Sequence, residues 1–282
     1  MIIFGEPIIL HLTMTFDITL SPDALPARIP INYSYCLSAA IYKILARADV
    51  EYAAFLHDHG YHAEHSLKAF KLFTFSDISV LFRIKGDRLL LLKNEVRFRV
   101  AFHLPDAAAS FIKGLFMNQR LSIGDKKSQA DFNVQHVALA GSPLGAEPVR
   151  EVLLRPLSPV VAGVKNERGH YDFLAPTDER FITRLMGNWR AKYAALYDDT
   201  ETAFKDAAMS VVRYPNPPKS RLITIKADTP EETKIRGFMN FRLKVRGRKE
   251  ALELLLNAGC GLYNAMGCGC VSVEVEKNGD KN

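Results

Sequence analysis

Apolar and polar positions along the chain sort it into alternating strand and helix patterns. Ile8-Ile9-Leu10-His11-Leu12-Thr13-Met14-Thr15-Phe16 reads as a strand, followed by turns over 21–26 and at Pro30. Leu37, Ile41, Ile44, Leu45 and Ala48 recur at helical spacing behind Asn32 or Ser34 as the cap. A shorter helical pattern over 50–58 carries Tyr52, Phe55 and Leu56 and stops at Gly60. Strand patterns follow at 71–75, 78–84, 88–93 and 96–102. Pro105 then opens a helix to about residue 117, and 132–139 reads as a closing strand.

Strand, helix, strands, helix, strand is the order of a ferredoxin-like domain. After the linker Gly141-Ser142-Pro143-Leu144-Gly145 the order recurs: strand 151–157, long helix 178–197, strands 221–226 and 237–245, helix 249–256, strand 271–276. The expected fold is therefore α+β, two tandem ferredoxin-like (RRM-like) domains over 1–140 and 146–282, the second carrying a C-terminal glycine-rich loop. Sheets of this kind keep helices on one face, and RNA often uses the other. The 282 residues, 48% of them apolar, exclude a disordered or low-complexity chain. No run approaches the roughly 18 apolar residues of a membrane-spanning helix, and Met1-Ile2-Ile3-Phe4-Gly5-Glu6 lacks the basic leader of a signal peptide. Four cysteines make no disulfide scaffold at this size, so a reduced, cytoplasmic protein is expected.

Charge narrows the partner. The net charge is +6, and residues 219–249 alone hold ten basic against three acidic residues, a local +7. A surplus gathered in one segment points to a polyanion, RNA or DNA before a membrane surface. Arg242, Lys244 and Arg246 alternate with Phe241, Leu243 and Val245, so a strand sets all three cations on one face about 6.7 Å apart. An ordinary solvated strand face is the alternative.

Near the end, Gly259-Cys260-Gly261-Leu262-Tyr263-Asn264-Ala265-Met266-Gly267-Cys268-Gly269 spaces two glycine-x-glycine pairs by five residues. Amides of such a loop can receive a phosphate or a sugar edge; a helix cap followed by a strand bulge is the competing reading. Neither the P-loop nor the dinucleotide glycine motif fits it. The pattern resembles the signature of the repeat-associated RNA-binding (RAMP) superfamily of CRISPR systems. Its nearest resemblance is to the endoribonucleases that cut precursor CRISPR RNA within each repeat. Leu25-Pro26, Ile31-Asn32-Tyr33, Ala40-Ile41-Tyr42-Lys43-Ile44-Leu45, Phe55-Leu56-His57 with Gly60, Lys71-Leu72-Phe73-Thr74-Phe75-Ser76 and Leu157-Ser158-Pro159-Val160 extend it in order along nearly the whole chain.

That resemblance implies two ferredoxin-like domains and a metal-independent endoribonuclease without cofactor, acting on CRISPR repeat RNA. It extends the partners to a CRISPR effector complex and a second copy of the chain. A non-catalytic RNA-binding subunit on the same scaffold is the competing function. Members often carry a basic residue inside the glycine loop, and 262–266 has none. RNA contact there falls to Gly259, Gly261, Gly267, Gly269 and Tyr263, with Arg242, Lys244 and Arg246 supplying charge.

Cutting RNA without a metal uses the ribose 2′-hydroxyl as nucleophile, and needs a base, an acid for the departing 5′-oxygen, and positive charge at the phosphorane. Four of the eight histidines, His57, His59, His62 and His65, fall within nine residues. His57 sits in the last helical turn before Gly60, where backbone carbonyls suit a cationic acid. The resemblance places the family's catalytic histidine at His57, with His59 the alternative. It places a tyrosine near the scissile phosphate at Tyr42, which equally fits core packing, and a phosphorane-facing lysine at Lys71. The long spacing from His57 keeps Lys68 open. With Asp58 and Glu64 the histidines invite a metal reading, yet their spacing fits no helical zinc pair, and no metal is expected. Cys260, Cys268 and Cys270 lack the Cys-x-x-Cys spacing and read as small buried side chains. Trp189, Phe181, Leu185 and Tyr193 read as core on the long helix, with Arg184, Arg190 and Lys192 on its exposed side.

Overall fold

The computed structural model describes residues 14–274 except 65, 67, 215, 216 and 228. Residues 8–13 of the strand expected over 8–16, and His65, lie outside the described residues. In the N-terminal half the elements run β1 (Thr15–Pro22), β2 (Ala27–Pro30), α1 (Tyr33–Ala48), α2 (Val50–Asp58), β3 (Phe73–Phe75), β4 (Phe82–Lys85), β5 (Arg88–Leu91), β6 (Val96–Phe102), α3 (Pro105–Met117), β7 (Arg120–Gly124) and β8 (Gln129–Leu139). The main sheet is antiparallel in the order β3-β6-β1-β8-β7. Its first four strands, taken in chain order as 2-3-1-4, are the ferredoxin-like arrangement, with β7 added outside β8. Alternation builds it: Phe16, Ile18 and Leu20 of β1 point inward, while Asp17 and Thr19 point out. The inward side meets Leu37, Ile41, Ile44 and Leu45 of α1 and Phe111 and Leu115 of α3. Each such side chain contributes about 1.5–3 kcal/mol by leaving water.

The C-terminal half repeats the plan with β9 (Val149–Pro156), β10 (Gly163–Lys165), β11 (Tyr171–Phe173), α4 (Arg180–Ala194), α5 (Thr200–Ala203), β12 (Ala208–Arg213), β13 (Ser220–Ile225), β14 (Thr233–Phe238), β15 (Arg242–Arg248), α6 (Lys249–Ala258) and β16 (Val271–Val273). Its sheet, β12-β15-β9-β16, has the same 2-3-1-4 order. Two expectations change here. The second sheet strand is β12, and the segment expected in its place forms a separate β13–β14 hairpin. The single strand expected over 237–245 breaks between Phe238 and Arg242, where Asn240 takes a left-handed φ of 59°. Buried Trp189, Phe181, Leu185 and Tyr193 confirm the apolar stripe of α4, and Trp189 Nε1 donates to the Ala251 carbonyl of α6 at 2.7 Å. No helix among the described residues is long and apolar enough to cross a membrane.

The halves are joined by interactions that fix them to one another. Arg221 of β13 grips Asp77 through both carboxylate oxygens, at 2.7 and 2.6 Å. Tyr33 donates to the same carboxylate and accepts from the Ile78 amide, both at 3.2 Å. Asn32 stands at the N-cap of α1 as expected, but its side chain bonds no amide of the helix and accepts from the Thr224 amide at 3.3 Å. Thr15 pairs with Asn257 of α6 at 3.2 Å. The outward face of the N-terminal sheet is thus covered in part by the other half, where the sequence had suggested an open platform.

Candidate active site and RNA-binding face

Asp49 caps α2 by accepting from the Tyr52 amide at 2.9 Å, and the amides of His59 and Gly60 close its far end on the Phe55 carbonyl. The pitch of this short helix fixes its two flanks. Ala53 and Leu56 turn into the core, and His57 emerges beside α1 with 66% of its side chain exposed. There its ring meets the Tyr42 ring edge-on, centroids 5.3 Å apart, while the other side of Tyr42 lies against Phe73 at 5.5 Å. Lys71, just ahead of β3, donates from Nζ to the His57 carbonyl at 2.8 Å. Three successive segments, α1, α2 and the stretch ahead of β3, thereby converge at the end of α2.

The alternatives lie elsewhere. His59 stacks on Phe55 on the opposite flank, and Lys68 Nζ sits over the Phe70 ring at 5.2 Å. His62 contacts the Ala63 carbonyl at 3.2 Å. Among the described residues no three His, Cys, Asp or Glu side chains are grouped to hold a metal.

Electrostatics distinguish the members of the cluster. Burial, and then the nearby Asp58 carboxylate, push the Tyr42 phenol above its ordinary pKa, so it keeps its proton at neutral pH. Burial pulls the Lys71 ammonium below the ordinary lysine value, and Asp58 opposes that shift. The Asp58 carboxyl is held below the usual carboxylate range, first by its hydrogen bond with His57 and also by the charges of His59 and Lys71.

The glycine-rich loop has a different place from the one expected. Gly259, Gly261, Gly267 and Gly269 are all buried, turned into the junction between the halves and away from solvent. The loop clasps β3, the edge strand of the N-terminal sheet. Ser38 of α1 donates to the Ala265 carbonyl at 2.6 Å, and on the other face Thr74 donates to the Cys268 carbonyl at 3.0 Å. At Gly267 (φ 79°) a Cβ would fall 2.6 Å from the Phe75 ring; at Gly269 (φ 72°) it would strike the Cys260 carbonyl. These glycines permit close backbone packing, so direct RNA contact is corrected to a structural role for the four of them. Tyr263 is half-buried, its ring edge-on to Tyr171 at 6.2 Å.

Lys192 completes that loop. Expected on the exposed side of α4, it is 2% exposed and donates to the Gly259 and Gly261 carbonyls at 2.6 and 3.2 Å and to Asn264 Oδ1 at 2.6 Å. Burial pulls its pKa down to about 7. Its signal lay in the periodicity: it follows Phe181, Leu185 and Trp189 on the buried stripe. Arg190 is ion-paired with Glu201, and Arg184 is exposed.

The cationic strand behaves as its alternation requires. In β15, Leu243 and Val245 are buried while Lys244 and Arg246 are exposed and Arg242 is half-buried. Arg242 pairs with Glu274 at 2.5 and 2.9 Å, and Lys244 with Glu151 at 2.8 Å. Among the described residues Arg246 makes no ion pair. The charges of Arg213 and Arg155 also reach Glu274. These cations face away from α4 and α6, which cover the other side of the same sheet. Lys68, on the segment joining α2 to β3, lies within electrostatic reach of Lys192 on α4. Among the described residues no ion pair, hydrogen bond or ring contact joins His57, Tyr42 or Lys71 to β15, so the His57 cluster and the cationic face are not brought together.

Two tandem ferredoxin-like halves, clasped by a glycine loop beside a His–Tyr–Lys cluster, define a protein of the repeat-associated RNA-binding class. Two family descriptions fit the chain: CRISPR-associated protein Cas6, N-terminal, over residues 28–138, and CRISPR associated protein Cas6, C-terminal, over 146–273. The chain belongs to the Cas6 family. CRISPR-associated endoribonuclease Cas6 1 of Methanocaldococcus jannaschii is 26% identical over 275 residues, 96% of each chain. Among solved structures, a Cas6-related protein from Pyrococcus furiosus shares the fold with a TM-score of 0.73 and 21% identity, over 94% of this chain and 100% of that one. A RAMP protein described as binding different RNA substrates gives 0.74 and 20%, over 93% and 99%.

Proposed function

We propose that this chain binds CRISPR repeat RNA in the cytoplasm and cuts it without a metal, leaving a 2′,3′-cyclic phosphate and a 5′-hydroxyl. The observation that carries this reading is the convergence of His57, Tyr42 and Lys71 at the exposed end of α2. In it, the ribose 2′-hydroxyl attacks the adjacent phosphorus and the 5′-oxygen departs with a proton. His57, the exposed imidazole of the cluster, takes the proton that the 2′-hydroxyl loses as its bond to phosphorus forms and delivers one to the 5′-oxygen as the P–O5′ bond breaks. Tyr42 keeps its O–H and serves as a neutral donor to a phosphoryl oxygen. Lys71 offers its charge to the phosphorane from its place on the His57 carbonyl. The test is end-labelled repeat RNA incubated with the protein in EDTA. A cyclic-phosphate product is expected. Tight binding without cleavage would reassign the chain as an RNA-holding subunit, and cleavage lost in EDTA but restored by zinc or manganese would replace the mechanism.

Arg242, Lys244 and Arg246 hold RNA phosphates in this reading. Changing all three to glutamine is expected to weaken binding of an uncleavable repeat about tenfold or more at physiological salt. The slope of log K against log salt should flatten by about 2, because each single-strand phosphate that a cation neutralises accounts for about 0.7 of it. Single-turnover cleavage at saturating RNA should stay at the native rate, because none of the three cations contacts His57, Tyr42 or Lys71. An unchanged salt slope in a binding titration would remove these residues from the RNA path.

A further inference from the structure

The cluster contains one more group, an acidic one, that the proposed reaction has not used. Asp58 Oδ1 lies 2.7 Å from His57 Nδ1. An ionised carboxylate only accepts, so the nitrogen facing it must be the one that carries hydrogen. Nε2 is then the lone-pair nitrogen of the neutral ring and the N–H of the protonated ring, and it points away from Asp58. Two further contacts limit the ring and its backbone: the Tyr42 edge at 5.3 Å and the Lys71 ammonium on the His57 carbonyl at 2.8 Å. The groups facing Asp58 are Tyr42 from α1, His57 from its own helix, His59 at that helix's C-cap, and Lys71 from the segment before β3. Two histidines and a lysine around one carboxylate keep it ionised at the pH where an imidazole works.

We infer that Asp58 is a positioning residue for the cleavage proposed above, holding the Nδ1–H of His57 so that Nε2 is presented to the RNA. The inference rests on His57 being the proton-transfer group. Asp58 touches neither the phosphate nor the nucleophile; it acts through the tautomer and the ring angle. The pair is exposed, so its effect is smaller than that of a buried His–Asp pair.

Asp58→Ala is expected to lower the single-turnover rate at saturating RNA about tenfold, while the Kd for a repeat with 2′-deoxyribose at the cut stays within about twofold. Asp58→Glu should recover most of the rate. In RNA-free protein, the ¹⁵N shifts of the neutral His57 ring should report a protonated Nδ1 in the native chain and a shift toward protonated Nε2 in Asp58→Ala. A native ring already protonated on Nε2, or an Asp58→Ala rate equal to the native one, overturns the inference. His57→Ala separates the two layers. If it cuts at the native rate, the acid–base reading itself fails. If it is inactive while Asp58→Ala is not slowed, only the role of Asp58 fails.

Discussion

Replacing His57 with alanine is expected to slow cleavage of repeat RNA by about 10²–10⁴-fold at saturating substrate, the range of one lost proton-transfer group. Affinity for a repeat with 2′-deoxyribose at the cut should change by less than about twofold. The separation follows from geometry. The His57 ring is exposed, set against Tyr42 and hydrogen-bonded to exposed Asp58, so its loss leaves the core residues Ala53 and Leu56 of α2 in place. Lys71 bonds to the backbone carbonyl of residue 57, which alanine retains. Rapid-quench single-turnover kinetics beside a filter-binding titration read both quantities. If His59→Ala carries the loss and His57→Ala does not, the reacting phosphate lies on the Phe55 flank of the helix and the cluster with Tyr42 is not the active site.

The largest expected effect on folding comes from Lys192→Met. Methionine fills the space but removes Nζ, whose neutral amine at pH 9 can donate to two of its three acceptors, the Gly259 and Gly261 carbonyls and Asn264 Oδ1. At about 1–3 kcal/mol for each stranded buried oxygen, partly relieved by local adjustment, the variant should lose about 3 kcal/mol. Urea unfolding at pH 9 measures it best. The reason lies in the sign of the linkage. Burial lowers the folded pKa to about 7 against the ordinary lysine value of 10.5, so between those values the unfolded chain binds a proton that the folded protein does not. Stability from this residue therefore rises with pH across that window and is least below it. The native protein should show that rise between pH 7 and 10, and Lys192→Met should show a flatter curve. An equal slope in both, or a variant as stable as the native chain at pH 9, would remove Lys192 from the loop's support.

The sequence made some parts of this architecture readable and hid others for physical reasons. β6 and α3 fall where the pattern placed them, because Val96, Phe98 and Val100 alternate strictly with Arg97 and Arg99, and Pro105 marks a helix start that few other signals match. β12 escaped because Met209 and Val211 offer too short an alternation. Leu222, Ile223 and Ile225 nearby make a louder pattern that belongs to a hairpin outside the sheet. Local periodicity reports that a segment is half-buried, not which sheet buries it. The histidine cluster was visible as composition, and His57 stood out in the sequence through its helix-end position and the family resemblance; the Tyr42 ring and the Lys71 ammonium come to lie beside it only on folding. Glycine spacing marked the loop correctly as exceptional. Its role as a clasp rested on Ser38, Thr74 and Lys192, none of them near it in sequence.

That clasp has a consequence for how the protein is made. The contacts tying the N-terminal sheet to the rest join residues 194, 227 and 242 positions apart: Thr74 to Cys268, Ser38 to Ala265, Thr15 to Asn257. A ribosome delivers the first sheet well before the residues that cover its edge. Until then β3 is a bare strand margin, open to pairing with a neighbouring nascent chain. Final consolidation must wait for residues 257–268, which favours a late, all-together closure over assembly half by half.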